Sequence, residues 1–196
     1  MNVAILLLAA GSSTRMGQSK QLMKIDGEPM LVRAAKQALS ASPDVTVVLG
    51  AEAESHRMVL RGTRVSTIEN SEWQRGMGNT LKFGLAELRN ANPGMDAVLI
   101  MVCDQPAVTS DHLKKLIERA GQSSKSIIAS AYKDTQGVPA LFRKQHFDQL
   151  AAIADGVGAS KLIRENREEV ETITLPHGEI DLDTLNDYLM YTTPTP

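Results

Sequence analysis

The chain has a single cysteine, Cys103, in 196 residues. It therefore carries no internal disulfide framework and fits a reducing, cytoplasmic setting. Aromatic residues are only 4% of the chain, and a formal net charge of −2 leaves no basic excess. A nucleic-acid-binding module would show a Lys/Arg-rich face or stacking aromatics, and neither is present. No apolar stretch approaches the ~20 residues of a membrane span. The four histidines, His56, His112, His146 and His177, stand in no metal-like spacing, and solvated surface positions are expected for them. What is left is an ordinary globular composition, 42% hydrophobic and 22% charged, long enough for one domain with a substantial core.

The apolar residues fall into alternating short runs and helical patterns. Strands are expected at Val3–Leu8, Val45–Leu49, Val65–Ile68, Ala97–Val102, Ser126–Ala131 and Val170–Leu175. Helical spacing covers Met30–Ser40, Glu52–Leu60, Thr80–Asn90 and Asp111–Ala120. Such alternation predicts an α/β fold of three layers, a mostly parallel twisted sheet with helices on both faces. A single domain over residues 1–191 is expected, followed by a disordered tail, 192–196.

The segment from Val3 to Leu22, VAILLLAAGSSTRMGQSKQL, is the most informative. A continuous apolar run ending in glycine reads as a strand buried on both faces. The loop after it is small, flexible and basic. Gly11 and Gly17 let backbone N–H groups turn toward an anion, while Arg15 and Lys20 add full positive charge. A secretory signal is disfavoured because no Lys or Arg precedes the run. A Walker A loop needs Lys directly after its second glycine, where this chain has Gln18. A dinucleotide fingerprint needs G-x-G, which Gly11-Ser12-Ser13 lacks. A phosphate-binding loop of another type is the reading that survives.

Three further landmarks stand out. Asp104 ends the fourth apolar run and would emerge at the same sheet edge as the glycine loop. Beside a triphosphate it suits Mg²⁺, which takes few protein carboxylates and several phosphate oxygens. Equally, Pro106 and Thr109 suggest an approaching helix, for which Asp104 would be a turn or cap residue. A second acidic cluster, Glu179 to Thr184, reads as an exposed strand leading into a helix capped by Asp183. The loop Asn70–Thr80 places Gly76, Gly78 and a hydroxyl before a helix, where a flat base or sugar could approach, or Thr80 could act as an N-cap. Trp73 and Cys103 are expected to pack in the interior.

Leu8-Ala9-Ala10-Gly11-Ser12-Ser13-Thr14-Arg15-Met16-Gly17, with Lys20 three further on, resembles the signature of nucleotidyltransferases that activate a small phosphorylated molecule with a nucleoside triphosphate. Within these MobA-like NTP transferases it most resembles the branch that includes molybdenum cofactor cytidylyltransferases. Guanylyltransferase relatives usually carry glycine where this chain has Ala10. The resemblance implies a Rossmann-like nucleotidyltransferase fold with Leu8 to Ser13, Arg15, Gly17 and Lys20 around the triphosphate, and Gly78 and Thr80 beside the base. Arg15, Lys20 and Asp104 would be catalytic. Asp-Gln-Pro at residues 104–106 is similar to the family's metal motif, so Asp104 and Asp183 would hold Mg²⁺, with Asp183 preferred to Asp181. Leu185 stands where relatives have proline. Gly137-Val138-Pro139 matches Gly-His-Pro on the acceptor side, with Val138 in place of histidine. Asp155 to Lys161 resembles Gly-Asp-x-Gly-Ala-Arg, another acceptor segment, with its first two residues exchanged and Ser160 in place of arginine.

The implied activity is Mg²⁺-dependent transfer of CMP from CTP to molybdopterin or molybdenum cofactor, with release of pyrophosphate. The implied partners are CTP, the pterin acceptor and a recipient molybdoenzyme, with no nucleic acid and no membrane. The alternatives are a GTP-using cofactor guanylyltransferase, transfer to a sugar or isoprenoid phosphate, and a non-catalytic nucleotide-binding partner in molybdoenzyme maturation. A nicotinamide-dependent oxidoreductase is disfavoured by the missing G-x-G-x-x-G.

Overall fold

The computed structural model describes residues 1–193. Its elements, in order, are β1 (Val3–Ala9), β2 (Lys24–Ile25), β3 (Glu28–Pro29), α1 (Met30–Ala41), β4 (Val45–Leu49), α2 (Ala53–Leu60), β5 (Ser66–Glu69), α3 (Met77–Ala91), β6 (Ala97–Val102), α4 (Ser110–Gln122), β7 (Ile127–Tyr132), β8 (Thr135–Arg143), α5 (Phe147–Ala151), α6 (Ser160–Glu165), β9 (Val170–Thr174) and α7 (Leu185–Thr192). The main sheet has seven strands in the order β5-β4-β1-β6-β8-β7-β9. All neighbouring strands are parallel except those that touch β8, which runs antiparallel to both β6 and β7. The α/β architecture is the expected one.

The strand β1 shows why the fold has three layers. All seven of its residues are buried. Alternate side chains point to opposite faces, as a strand requires. Ile5 and Leu7 join a core with Leu31 and Ala35 of α1 and with Leu113 and Leu116 of α4. Leu6 and Leu8 join a second core with Leu81 and Leu85 of α3, Phe147 of α5 and Ile163 of α6. A continuous apolar run is therefore what a strand between two helical layers needs. In α3, Gly84 brings the helix close to β1 and β4, because a Cβ there would lie 2.7 Å from Val48 and 2.8 Å from Leu6.

Order in the sheet reverses at β1. The chain moves outward through β4 and β5, then returns to β6 on the other side of β1. The loops after β1 and β6 thus flank the crevice beyond the carboxyl ends of the strands, the usual ligand position in such sheets.

Several expectations need correction. Three of the four histidines are not solvated, since His56, His112 and His146 are 1%, 6% and 4% exposed. Each hides by bonding a buried serine: Ser19, Ser130 and Ser126 respectively. The helix expected from Thr80 begins three residues earlier, at Met77. The strand β8 is not among the expected strands, and neither are the short helices α5 and α6 among the expected helices. Of the tail expected to be disordered, Thr192 closes α7 and Thr193 follows it, while 194–196 lie outside the described residues. Among the described residues, no helix is long and apolar enough to cross a membrane.

Candidate functional site

The loop after β1 is shaped by a buried amide. Gln21 is 1% exposed. Its Oε1 accepts from the hydroxyls of Ser13 (2.9 Å) and Ser19 (3.0 Å). Its Nε2 donates to the carbonyls of Gly11 (2.8 Å) and Ala9 (3.4 Å). Ser13 Oγ in turn accepts from the backbone N–H of Lys20 at 3.0 Å. Because Ser19 gives its proton to Gln21, it accepts from His56 Nε2–H across 2.7 Å. Burial lowers the His56 pKa against the pull of Glu52, favouring the neutral imidazole. The loop turns at Gly17, whose φ of 68° lies in the left-handed region where glycine is unstrained. Gln21, Ser19 and His56 were not singled out as site residues, because polar side chains declare their partners only in the folded chain, as Ser19 and His56 do across 37 residues.

Beneath the loop, Met16, Met23, Ile25, Met30 and Leu182 form a third apolar cluster. It anchors the loop to a segment more than 150 residues away in sequence. Leu182 N donates to the Asp104 carbonyl at 3.0 Å. Tyr188 of α7 donates to the Lys24 carbonyl at 2.7 Å. These contacts bring Arg15, Lys20, Asp104 and Asp183 together. Lys20 Nζ lies 2.5 Å from Asp104 and 2.9 Å from Asp183, and Arg15 lies 2.8 Å from Asp183.

The electrostatics follow from that geometry. Burial alone would lower the Lys20 pKa, but Asp104 and Asp183 outweigh it and raise the ammonium above the ordinary lysine value. Partial desolvation works against the Asp183 carboxylate, yet Lys20 and Arg15 hold its pKa below normal. Asp181 does the opposite. Desolvation and the negative charge of Asp104 and Asp183 push it up to about 6. Asp183, not Asp181, is the residue that meets Lys20 and Arg15. Cys103 packs in the core as expected, 6% exposed, and that burial pushes its thiol up to about 12.

Neither carboxylate is consumed by helix capping. The α4 cap is Thr109, whose side chain accepts from His112 N. The α7 cap is Thr184, paired with Asp187 in a capping box. That box starts the helix without the proline that Leu185 replaces, and it frees Asp183 from the capping role expected for it.

A cleft of about 300 Å³ opens beside this cluster. Leu8, Ala9, Ala10, Gly11, Ser12, Lys20 and Gln21 line it from the first loop. Trp73, Gln74, Gly76, Met77 and Thr80 line it from the loop and first turn of α3, and Asp104 reaches it from the end of β6. Trp73, expected as a packing residue, is a half-buried part of the wall. Ser13, Arg15 and Gly17 are not in the lining. Ser13 holds the loop, Arg15 reaches out to Asp183, and Gly17 sits on an exposed turn.

Gly78 also faces elsewhere. A Cβ on it would lie 2.1 Å from the Ala154 carbonyl and 2.6 Å from that of Val157. The close approach that requires glycine is therefore to the 154–157 backbone. Thr80 lies inside α3 rather than capping it, and its Oγ1 accepts from Asn70 at 3.3 Å.

The acceptor-side residues Gly137, Val138 and Pro139 belong to β8 and do not line the cleft. The Val138–Pro139 peptide is cis. Tyr132 donates to the Val138 carbonyl at 3.3 Å, and Ser130 to that of Pro139 at 2.6 Å. His112 Nε2–H then donates to Ser130 at 2.8 Å. Residues 155–158, expected on the acceptor side, instead press against the start of α3.

For a divalent cation the donor set is oxygen only. Asp104 and Asp183 already share one positive charge, the Lys20 ammonium. Among the described residues, no group of three or more His, Cys, Asp or Glu is arranged to hold a metal. A pair of carboxylates still fits Mg²⁺, which commonly completes its shell with phosphate and water.

Comparison with known proteins decides the family. A model described as the MobA-like NTP transferase domain matches residues 5–170. The chain belongs to this family. Among its relatives, it is 25% identical to the purine catabolism protein PucB of Bacillus subtilis, over 94% of this chain and 93% of PucB. It is 29% identical over 95% of its length to the bifunctional protein GlmU of Nitrosomonas europaea, but spans only 41% of GlmU. It is 35% identical to a probable molybdenum cofactor guanylyltransferase of Synechococcus elongatus over 54% of this chain and 52% of that one. The crystal structure of Rv0371c from Mycobacterium tuberculosis superposes with a TM-score of 0.83 at 28% identity, covering 98% and 97% of the two chains. A manganese complex of Rv0371c gives 0.79 at 27% identity, covering 98% of both.

Proposed function

We propose that this MobA-like chain is a divalent-metal-dependent nucleotidyltransferase that moves CMP from CTP to the phosphate of molybdopterin or molybdenum cofactor and releases pyrophosphate. The observation that carries the reading is the joining of Lys20, Asp104 and Asp183 at the end of a cleft walled by the loop after β1.

No nucleophilic serine or base is needed. The acceptor phosphate has a second pKa near ~6, so its oxygen is largely ionised at neutral pH. The obstacle is repulsion between that dianion and the triphosphate. Catalysis is then mainly positioning and neutralisation of charge. Lys20 and Arg15 supply that charge to the phosphates, and Arg15 offers a planar two-pronged contact. Asp104 and Asp183 would hold Mg²⁺, which when bound polarises phosphoryl oxygens as a Lewis acid. The manganese complex of Rv0371c supports a divalent ion in this fold.

The choice of CTP rests on Ala10, which lines the cleft where guanylyltransferase relatives have glycine. The Synechococcus relative favours GTP as the second reading. Incubation with Mg²⁺, molybdopterin and each of the four triphosphates, with product identified by mass, separates the two. A CMP adduct is expected. An adduct formed only with GTP reassigns the base, and no adduct with any triphosphate rejects the acceptor.

A further inference from the structure

Asp155 joins two segments that the cleft alone does not explain. It precedes α6, yet its polar contacts run to residues 75–82, the segment that carries the far wall of the cleft. Its backbone carbonyl accepts from Gly78 N at 2.7 Å and Asn79 N at 3.1 Å, satisfying N–H groups in the first turn of α3. Its carboxylate accepts from Arg75 at 2.8 Å and also from Lys82. Those cations lie on either side of Gly76, Met77 and Thr80, three residues that line the cleft.

The surrounding packing has the same direction. A Cβ on Gly76 would lie 2.7 Å from the Asp155 carbonyl, and one on Gly158 would lie 2.8 Å from Met77 Sδ. Gly76 also has a φ of 114°. Gly76 and Gly78 thus let the start of α3 lie directly against the 154–157 backbone, with no room for a side chain at either position. With its carboxylate shared by two cations, Asp155 forms a small network rather than an isolated surface pair, the arrangement in which such charges have measurable effect.

We propose that Asp155 is a positioning residue for the nucleoside part of the substrate. It fixes the wall formed by Gly76, Met77 and Thr80, while the phosphates are held independently by the loop after β1. This rests on the nucleotidyltransferase reading and adds a division of labour within that site.

The test compares CTP with inorganic tripolyphosphate, both with Mg²⁺, by titration calorimetry on the intact chain. Asp155→Asn keeps the backbone carbonyl but cannot hold both cations. It is expected to weaken CTP binding by about three- to tenfold. Tripolyphosphate binding should stay within about twofold, because the phosphate loop is untouched. Lys82→Met should act in the same direction, and Asp155→Glu should restore most of the CTP affinity.

Equal weakening of both ligands, or no change in either, overturns the role of Asp155. Wild-type protein that binds CTP no more tightly than tripolyphosphate also overturns it, since no nucleoside wall would then exist. Wild-type protein that binds neither ligand rejects the nucleotidyltransferase reading itself, and this inference with it.

Discussion

The two sides of the crevice are built differently. On the donor side, a loop rich in small residues is locked by a buried glutamine, a buried histidine and an apolar cluster beneath it. On the side proposed for the acceptor, Gly137 to Pro139 are strand residues, and a separate groove is lined by Lys133, Glu179, Asp181 and the exposed Met190 of α7. On the function proposed above, the donor side would meet a triphosphate, a ligand of fixed chemistry, with a loop whose shape is already held by internal hydrogen bonds. If the acceptor binds on the other side, it would meet charged side chains on an open surface, which specify a ligand weakly by shape.

If the donor side carries the reaction, removing its central cation should have the largest effect. Lys20→Ala is expected to slow single-turnover transfer by roughly 10²–10³, the scale of losing one donor to transition-state charge. Arg15→Ala should cost less, because its side chain is 69% exposed and solvent competes for its charge. Equal losses in the two variants would break the ranking.

A second prediction probes the acceptor side through stability. His112 sits under Pro139 through Ser130, and burial followed by the charge of Lys115 lowers its pKa to about 4. Its folded pKa is below the unfolded value of 6.5, so the folded state binds fewer protons between the two. The stabilisation is complete above pH ~6.5 and is lost as pH falls through ~4, a change on the order of 3 kcal/mol. Urea melts from pH 7 to 4 should show this slope, and His112→Gln should flatten it. An unchanged slope in the variant would remove His112 from the account.

Gln21→Ala sharpens the donor half. It strands two hydroxyls and two carbonyls at a buried position and should destabilise the chain by about 2 kcal/mol. Tripolyphosphate binding should weaken with it. A stable variant that binds normally would show that the loop shapes itself.

The smallest effect is expected from Val138→His, which restores the residue common among relatives. Stability should move by no more than ~1 kcal/mol, given partial burial, and CTP affinity should not change. Any gain should appear in the KM for the acceptor alone.

The same contrast explains what the sequence made legible. The strands β1 and β6 announce themselves because burial on both faces demands unbroken apolar runs, and β4 interrupts its run only at the buried Thr46. Gly11, Lys20 and Asp104 could be found because their residue types follow those strands at the edge where ligands bind. The strand β8 was harder, since its first residues include Gly137 and Pro139, which read as a turn. Gln21 and Asp155 were not legible. A glutamine among polar neighbours has no signature until Ser13, Ser19 and two carbonyls converge on it. Asp155 sat in a segment that resembled an acceptor loop, and only its contacts with Arg75, Lys82, Gly78 and Asn79 place it against the nucleotide wall. The histidines misled for a related reason. Their burial depends on serine partners 18 to 37 residues away.

The most direct test of the central claim is pyrophosphate release from CTP and Mg²⁺ in the presence of molybdopterin, comparing the wild-type chain with Asp104→Asn. The account predicts one pyrophosphate per acceptor consumed by the wild type. It also predicts a loss of at least about 10² in rate for the variant, whose melting temperature should be little changed. Turnover of Asp104→Asn at the wild-type rate would contradict it.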